Sequence, residues 1–314
     1  YFLNDTILDW FKVQDSQYNN TNNTITITKK EPTTNPIFIQ GNNFETKIWN
    51  FIRRKWPTNC VQIAPSSHDI QPEYISSTIE HIKKGTPIIY QAPLEDAGSH
   101  LRGSCDLIVR SDWFPILFEM CPLGSLYTTG CNIHRGFHYR VIDIKWMQLK
   151  LRADGRTPLA HPLMPCYRAQ LGVYNYLLGK IQGYTPNNTY LLGKGITTGK
   201  IKHTNSWERL AVLSYDDDFL GEMMAAIQWN RSVKTFGRTW TLTNPHKYLY
   251  PNMCNKYDAP YCQRKRIAAK QLGELTQIWN VGVTQRRFAH TRQIFTWQIG
   301  DVPPQHWDSS LVRL

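Results

Sequence analysis

An α/β (α+β) domain with one main sheet flanked by helices, followed by a small helical C-terminal unit, is the fold class this sequence predicts, and three observations predict it. Apolar residues recur at spacings of three and four in FETKIWNFIRRKW (44–56), where Phe44, Ile48, Phe51 and Ile52 mark an amphipathic helix. The period then changes to that of strands in PIIYQAPL (87–94), GSCDLIVR (103–110), FPILFEM (114–120) and HYRVIDIKWM (138–147), rich in β-branched and aromatic residues with turn formers between them. A long helix over 164–183 separates these from two further strands, 187–195 and 210–215, so helices and strands alternate around one sheet.

The first four strands read as a largely antiparallel succession. A helix over 73–84 starts after Pro72 and stops at Gly85. Asp216, Asp217 and Asp218 open another helix running to about Trp229; carboxylates at a helix start complement the macrodipole, which favours capping over metal binding. The Asn/Thr-rich stretch 14–35 suits an exposed lead-in or peripheral hairpin. The expected organisation is a polar lead-in (1–36), a core (37–245) and a basic helical C-terminal region (246–314).

The chain has 314 residues with 36 Lys+Arg against 24 Asp+Glu, a formal charge of +12, and is 41% hydrophobic. That is enough apolar content for a globular core, and the positive balance favours a polyanionic partner. No apolar run approaches membrane-spanning length, so no membrane is expected as a partner. The start lacks an initiating Met and a leader, which suggests that Tyr1 begins an excised or processed product. The seven cysteines (Cys60, Cys105, Cys121, Cys131, Cys166, Cys254, Cys262) are odd in number and without CxxC spacing, which points to an intracellular, reducing compartment.

The chemistry is concentrated in YRVIDIKW (139–146). Strand alternation sets Tyr139, Val141, Asp143 and Lys145 on one face and Ile142, Ile144 and Trp146 on the other. An acid and a lysine thus share a face where isolated charges are costly. A lone D-x-K is usually a strand salt bridge, so its context decides. Asp106 on an earlier strand can lie beside Asp143 in a meander, Glu45 is an acid on the preceding helix, and Gln170 and Tyr174 stand one turn apart on the following helix.

In this order the residues resemble the motifs of the PD-(D/E)XK nucleases, in the RecB- and Cas4-like and lambda-exonuclease-like branch. There a helix acid, a strand Asp, a D/E-x-K strand and a Q-x-x-x-Y helix correspond to Glu45, Asp106, Asp143/Lys145 and Gln170/Tyr174. The Asn-rich composition is similar to giant-virus members of that branch, which would place the chain in host cytoplasm or a virion. The resemblance implies a restriction-endonuclease-like core with a central mixed sheet and a Mg²⁺- or Mn²⁺-dependent deoxyribonuclease, acting as an exonuclease. Asp106, Asp143, the Ile144 carbonyl and Glu45 are the implied metal ligands, Glu45 directly or through water. DNA is the implied substrate, with a helicase and a second copy of the chain as further partners. The relatives' iron–sulfur cluster is not expected, because only Cys254 and Cys262 fall in the late region.

The stretch 275–297 resembles a helix-hairpin-helix, with Asn280 in place of the first hairpin glycine and Gly282 retained. Arg264, Lys265, Arg266, Gly282, Arg286 and Arg287 are the expected nucleic-acid contacts. The competing readings are a catalytically silent nucleic-acid-binding module and a structural subunit of a larger nuclease–helicase assembly.

Overall fold

The computed structural model describes residues 3–21, 36–99, 101–124, 130, 132–133, 136–243 and 245–298. It divides into two compact units, one formed by residues 29–223 and the other by 1–28 with 224–314. Among the described residues no helix is long and apolar enough to cross a membrane.

The larger unit has the expected α/β architecture: a seven-stranded mixed sheet built from β1 (Cys60–Gln62), β2 (Ile88–Asp96), β3 (Leu101–Arg110), β4 (Tyr139–Leu151), β5 (Asn188–Thr198) and β6 (Ile201–His203) in that spatial order, with β7 (Ala211–Ser214) also paired to β5. The pairs β2–β3 and β3–β4 are antiparallel, but β1–β2 and β4–β5 are parallel, so the antiparallel succession holds only for the middle of the sheet. The β4–β5 pair is parallel because the helix between them, α5 (Met164–Gln182), makes the crossover that parallel strands require.

One sheet face buries Ile89, Ile108, Tyr139, Val141, Leu171, Leu177 and Leu178 with α5 and α3 (Pro72–Lys84). The other buries Ile88, Leu107, Ile142, Ile144 and Leu192 against α2 (Pro36–Lys55), whose Phe44, Ile48, Trp49 and Ile52 supply the apolar stripe. FPILFEM is not a strand. Residues Ser111–Trp113 form a 3₁₀ turn and α4 (Phe114–Leu117) follows, with Pro115 in its first turn, where a missing N–H costs nothing. Phe114 and Phe118, four apart, are both buried, and a short apolar run cannot reveal which period it follows.

The smaller unit corrects the expected boundaries. The N-terminal segment is no polar lead-in as far as it is described: α1 (Ile7–Thr21) buries Ile7, Trp10 and Phe11 against Trp229, Val233, Leu249 and Ala268. Residues 22–35 of the expected hairpin lie outside the described residues. The remaining helices are α6 (Asp217–Phe236), α7 (Cys262–Leu272) and α8 (Val283–Thr291). Asp216 does cap α6, accepting a hydrogen bond from the Phe219 amide at 2.8 Å.

Candidate active site

The site lies in the larger unit, where β3 and β4 part. Their antiparallel pairing ends at Leu107↔Ile142, and one further step of that register sets Asp106 opposite Asp143. Instead of continuing the ladder, the Ile144 amide donates to Asp106 Oδ2 at 2.7 Å. The core alternation breaks at the same level. Cys105 and Ile108 both pack on the α5 side although they stand three positions apart, and on β2 so do Ile89 and Ala92. The residue between the latter two that lies opposite Asp106 in register, Gln91, adopts φ +48, a strained value for a non-glycine residue. This local break turns Asp106 out of the sheet interior and towards a cleft.

The cleft encloses about 500 Å³ and is lined by Ile37, Phe38, Gly41, Asn42 and Glu45 of α2, Ser67 and His68 of a loop, Ser104 and Asp106 of β3, Ile144–Met147 of β4, and Tyr167, Gln170 and Tyr174 of α5. Asp143 is buried directly beneath, with 1% of its side chain exposed, and its Oδ2 receives the Lys145 ammonium at 2.6 Å. Lys145 also sits over the Tyr167 ring, 5.2 Å from its centroid. Gln170 donates to the Tyr174 hydroxyl at 2.9 Å. All six residues singled out in the sequence therefore belong to one locality. Tyr167 was readable too, since 167, 170 and 174 fall on one helical face.

Glu45 stands one step apart. Its Oε1 accepts from the Tyr90 hydroxyl at 2.9 Å and from the Gln91 amide, and Tyr90 is stacked on Trp49. Nothing in the sequence marks Tyr90 and Gln91 as its holders, because they reach it through tertiary packing alone.

The electrostatics are unbalanced. Burial pushes the Asp106 carboxyl well above the usual carboxylate range, and the charges of Asp143 and Glu45 push the same way. Burial likewise raises Asp143, against the pull of Lys145. Burial acts to lower the Lys145 ammonium, but Asp143 and Asp106 outweigh it and the net shift is upward. Burial also raises Glu45, opposed by its hydrogen bonds from Tyr90 and Gln91. Burial pushes the Tyr174 phenol up to about 12, so it remains a hydrogen-bond donor at neutral pH. Three largely buried acids thus act on one lysine, an arrangement that calls for either protons or a cation.

A carboxyl whose pKa rises on folding prefers its protonated form in the folded chain. Folded protein then binds more protons than unfolded protein between the two pKa values, and stability falls as pH rises through that window. In EDTA, thermal melts taken as pH rises above the usual carboxylate range are expected to show this decline, and Asp106→Asn should flatten it. An unchanged slope in that variant would place the strain elsewhere.

The donor set fits a hard divalent cation. Asp106 and Asp143 offer oxygens, and Oδ1 of Asp143 is buried without a protein donor other than what a protonated Asp106 could supply. Among the described residues, however, no three Asp, Glu, His or Cys side chains converge as a ready-made cage. The expected three-acid cluster is corrected to a pair, with Glu45 turned to Tyr90 and Gln91. Two carboxylates with the remainder as water or carbonyl oxygen still match Mg²⁺, which dehydrates reluctantly.

Gly103 matters by its lack of a side chain. A Cβ there would meet the Tyr174 ring at 2.3 Å. Gly103→Ala is expected to cost about 1–3 kcal/mol by overpacking and to displace Tyr174 from Gln170. Denaturant unfolding together with Tyr174 fluorescence, taken against Tyr174→Phe as the reference, checks both effects.

The C-terminal expectations fare differently. Within 275–297 the hairpin is a 3₁₀ turn (Leu275–Gln277) followed by α8, rather than two helices. Asn280, in place of the first hairpin glycine, adopts a left-handed conformation, φ +62. Gly282 caps α8, its N–H donating to Gln285 Oε1 at 3.1 Å. Two of the expected phosphate contacts are buried instead. Lys265 is fully buried and paired with Asp5 and Asp258, both at 2.9 Å, and Arg286 bonds Glu274 and the carbonyls of Tyr250 and Pro251. Arg264 pairs with Asp15. Arg266 and Arg287 are exposed. Cys254 and Cys262 are exposed free thiols, and Cys131 lies outside the described residues.

No family model matches the chain, and no curated protein matches it.

Proposed function

We propose that the chain is a divalent-cation-dependent phosphodiesterase acting on DNA, a nuclease with its active centre at Asp106, Asp143 and Lys145. The observation that carries this reading is the pair of buried carboxylates from adjacent strands, both shifted towards protonation, with one ammonium 2.6 Å from Asp143. Asp106 and Asp143 would hold a Mg²⁺ or Mn²⁺ ion, helped by the Ile144 carbonyl and, through water, by Glu45. Such an ion supplies Lewis acidity at the phosphoryl group and a more acidic bound water.

The chain's own residues do the rest. Lys145, fixed by Asp143 and Tyr167, places a positive charge where negative charge builds up on the phosphoryl oxygens. Asp143 holds that ammonium at one position. Gln170 and the Tyr174 hydroxyl present donors to a phosphodiester strand in the cleft and so orient the scissile group. Tyr90 and Gln91 hold the Glu45 carboxylate facing the cleft.

The test is hydrolysis of end-labelled single- and double-stranded DNA with Mg²⁺, Mn²⁺ or EDTA, beside calorimetric titration of the metal alone. Metal-dependent cleavage and saturable metal binding, weakened in Asp106→Asn, are expected. Binding of DNA without cleavage under any metal would leave a nucleic-acid-binding module.

A further inference from the structure

We propose that the uncovered sheet face running from Trp146 across β4, β5 and β6 is the track along which a single-stranded polynucleotide reaches the cleft. This rests on the phosphodiesterase reading, since the cleft is the destination of the strand. Three observations support it.

Trp146 is 38% exposed and lines the cleft, as does Phe38, so the cleft mouth holds two accessible aromatic rings. Lys194 places its ammonium 4.2 Å from the Trp146 ring centroid. Beyond Trp146 the register pairs Lys150 with Thr197 and Thr197 with Lys202. Laterally paired residues point to the same side of a sheet, so these three form one transverse row. Gln148 confirms the shared face by donating to the Thr197 hydroxyl at 3.2 Å.

Lys150, Lys194 and Lys202 are all exposed. Over the segments 144–152 and 193–203 the exposed charged residues are Lys150, Arg152, Lys194, Lys200 and Lys202, and neither segment has an Asp or Glu. An exposed face of one sign next to an acidic cleft is complementary to a chain of phosphates. A flat aromatic ring beside those cations stacks bases without regard to their identity, which is how single strands are held. From Trp146 to Lys150 the strand advances about 13 Å, and the row spans about 10 Å across, room for a few nucleotides. The C-terminal cluster is a poorer candidate, with Lys265 and Arg286 buried and Arg264 paired.

The test is fluorescence anisotropy of a labelled oligothymidine with the full chain in EDTA, at several salt concentrations, beside the matching duplex and phosphatidylserine vesicles. The triple variant Lys150→Glu/Lys194→Glu/Lys202→Glu is expected to weaken single-strand binding by about tenfold or more. It should also flatten the salt dependence by about two units of slope, since each phosphate neutralised on a single strand contributes about 0.7. Trp146→Ala should weaken it by on the order of tenfold with the slope kept, because stacking involves no counterion. Arg266→Glu/Arg287→Glu serves as the comparison and should have less effect. If the triple Glu chain melts early, the Lys→Gln triple replaces it, with half the charge change.

Binding by folded track variants equal to wild type, or binding to vesicles in preference to the oligonucleotide, overturns the proposal. So does a wild-type chain that binds no single strand. Mg²⁺-dependent hydrolysis is scored separately. Cleavage with unaffected binding in the track variants sinks the track alone, and lost binding with no cleavage by wild type sinks the nuclease reading alone.

Discussion

Turnover of labelled DNA with Mg²⁺ is expected to fall by on the order of 10²–10³ in Lys145→Ala, the usual cost of removing one preorganised charge-stabilising donor, and by more in Asp143→Ala. The geometry explains the difference. Lys145 acts on charge that develops during the reaction, whereas Asp143 both supplies a metal oxygen and fixes the ammonium at 2.6 Å. DNA binding in EDTA should survive both changes, because it rests on distributed phosphate contacts and one lysine contributes about one phosphate's share of the salt slope. Asp143→Ala should bind slightly more tightly, having lost a negative charge facing the backbone. Folding should also survive. Lys145→Ala leaves Asp143 buried beside Asp106, but burial already raises both carboxyls, so uptake of a proton can offset the lost cation. Metal titration adds a readout independent of turnover: Lys145→Ala should keep saturable binding and Asp143→Ala should lose it. Wild-type turnover in either variant would remove these residues from the active centre.

The largest stability effect is expected at Lys265, a residue that the sequence marks as a phosphate contact. Its ammonium is 1% exposed, lies 2.9 Å from both Asp5 and Asp258, and donates to the Asn255 carbonyl at 2.8 Å. Asp5 in turn accepts from the Asn252 amide and from Asn255, so this one cation ties α7 to both the N-terminal segment and the 252–258 loop. Lys265→Ala leaves the Asp5 carboxylate buried without its cation, which costs about 3–5 kcal/mol when a buried pair is broken on one side. Denaturant unfolding should show that loss, and the salt slope of oligonucleotide binding should not change. Arg266→Ala, one residue along and exposed, should be near neutral for stability. The opposite pattern, with Lys265→Ala as stable as wild type and shallower in salt, would restore Lys265 as a nucleic-acid contact.

The local pattern determined much of the larger unit. A stripe at helical spacing located α2, and Pro72 with Gly85 bounded α3; Gly85 and Gly183 end α3 and α5 in left-handed conformations. Two-residue alternation placed Asp143 and Lys145 on one face of β4, and the spacing of Gln170 and Tyr174 put them on one face of α5. These features depend on chain geometry within a few residues, so the order of residue types is enough to reveal them. Where local signals were silent or ambiguous, the reading failed. FPILFEM is apolar throughout and became a helical turn. Ile7, Trp10 and Phe11 precede a polar stretch that masked their helix.

Tertiary structure alone decided the rest, because those features arise between residues far apart in the chain. The break in alternation at Gln91 and Asp106, the turning of Glu45 to Tyr90 and Gln91, and the fit of Gly103 against Tyr174 all require two or more elements to meet. The fate of a basic residue is of the same kind. Arg264, Lys265 and Arg266 are neighbours in sequence, yet one is ion-paired at the surface, one buried between two aspartates and one exposed. Charge is a property of the residue, but whether it is available to a partner depends on desolvation and on the acids folded against it, and these come from distant segments of the chain.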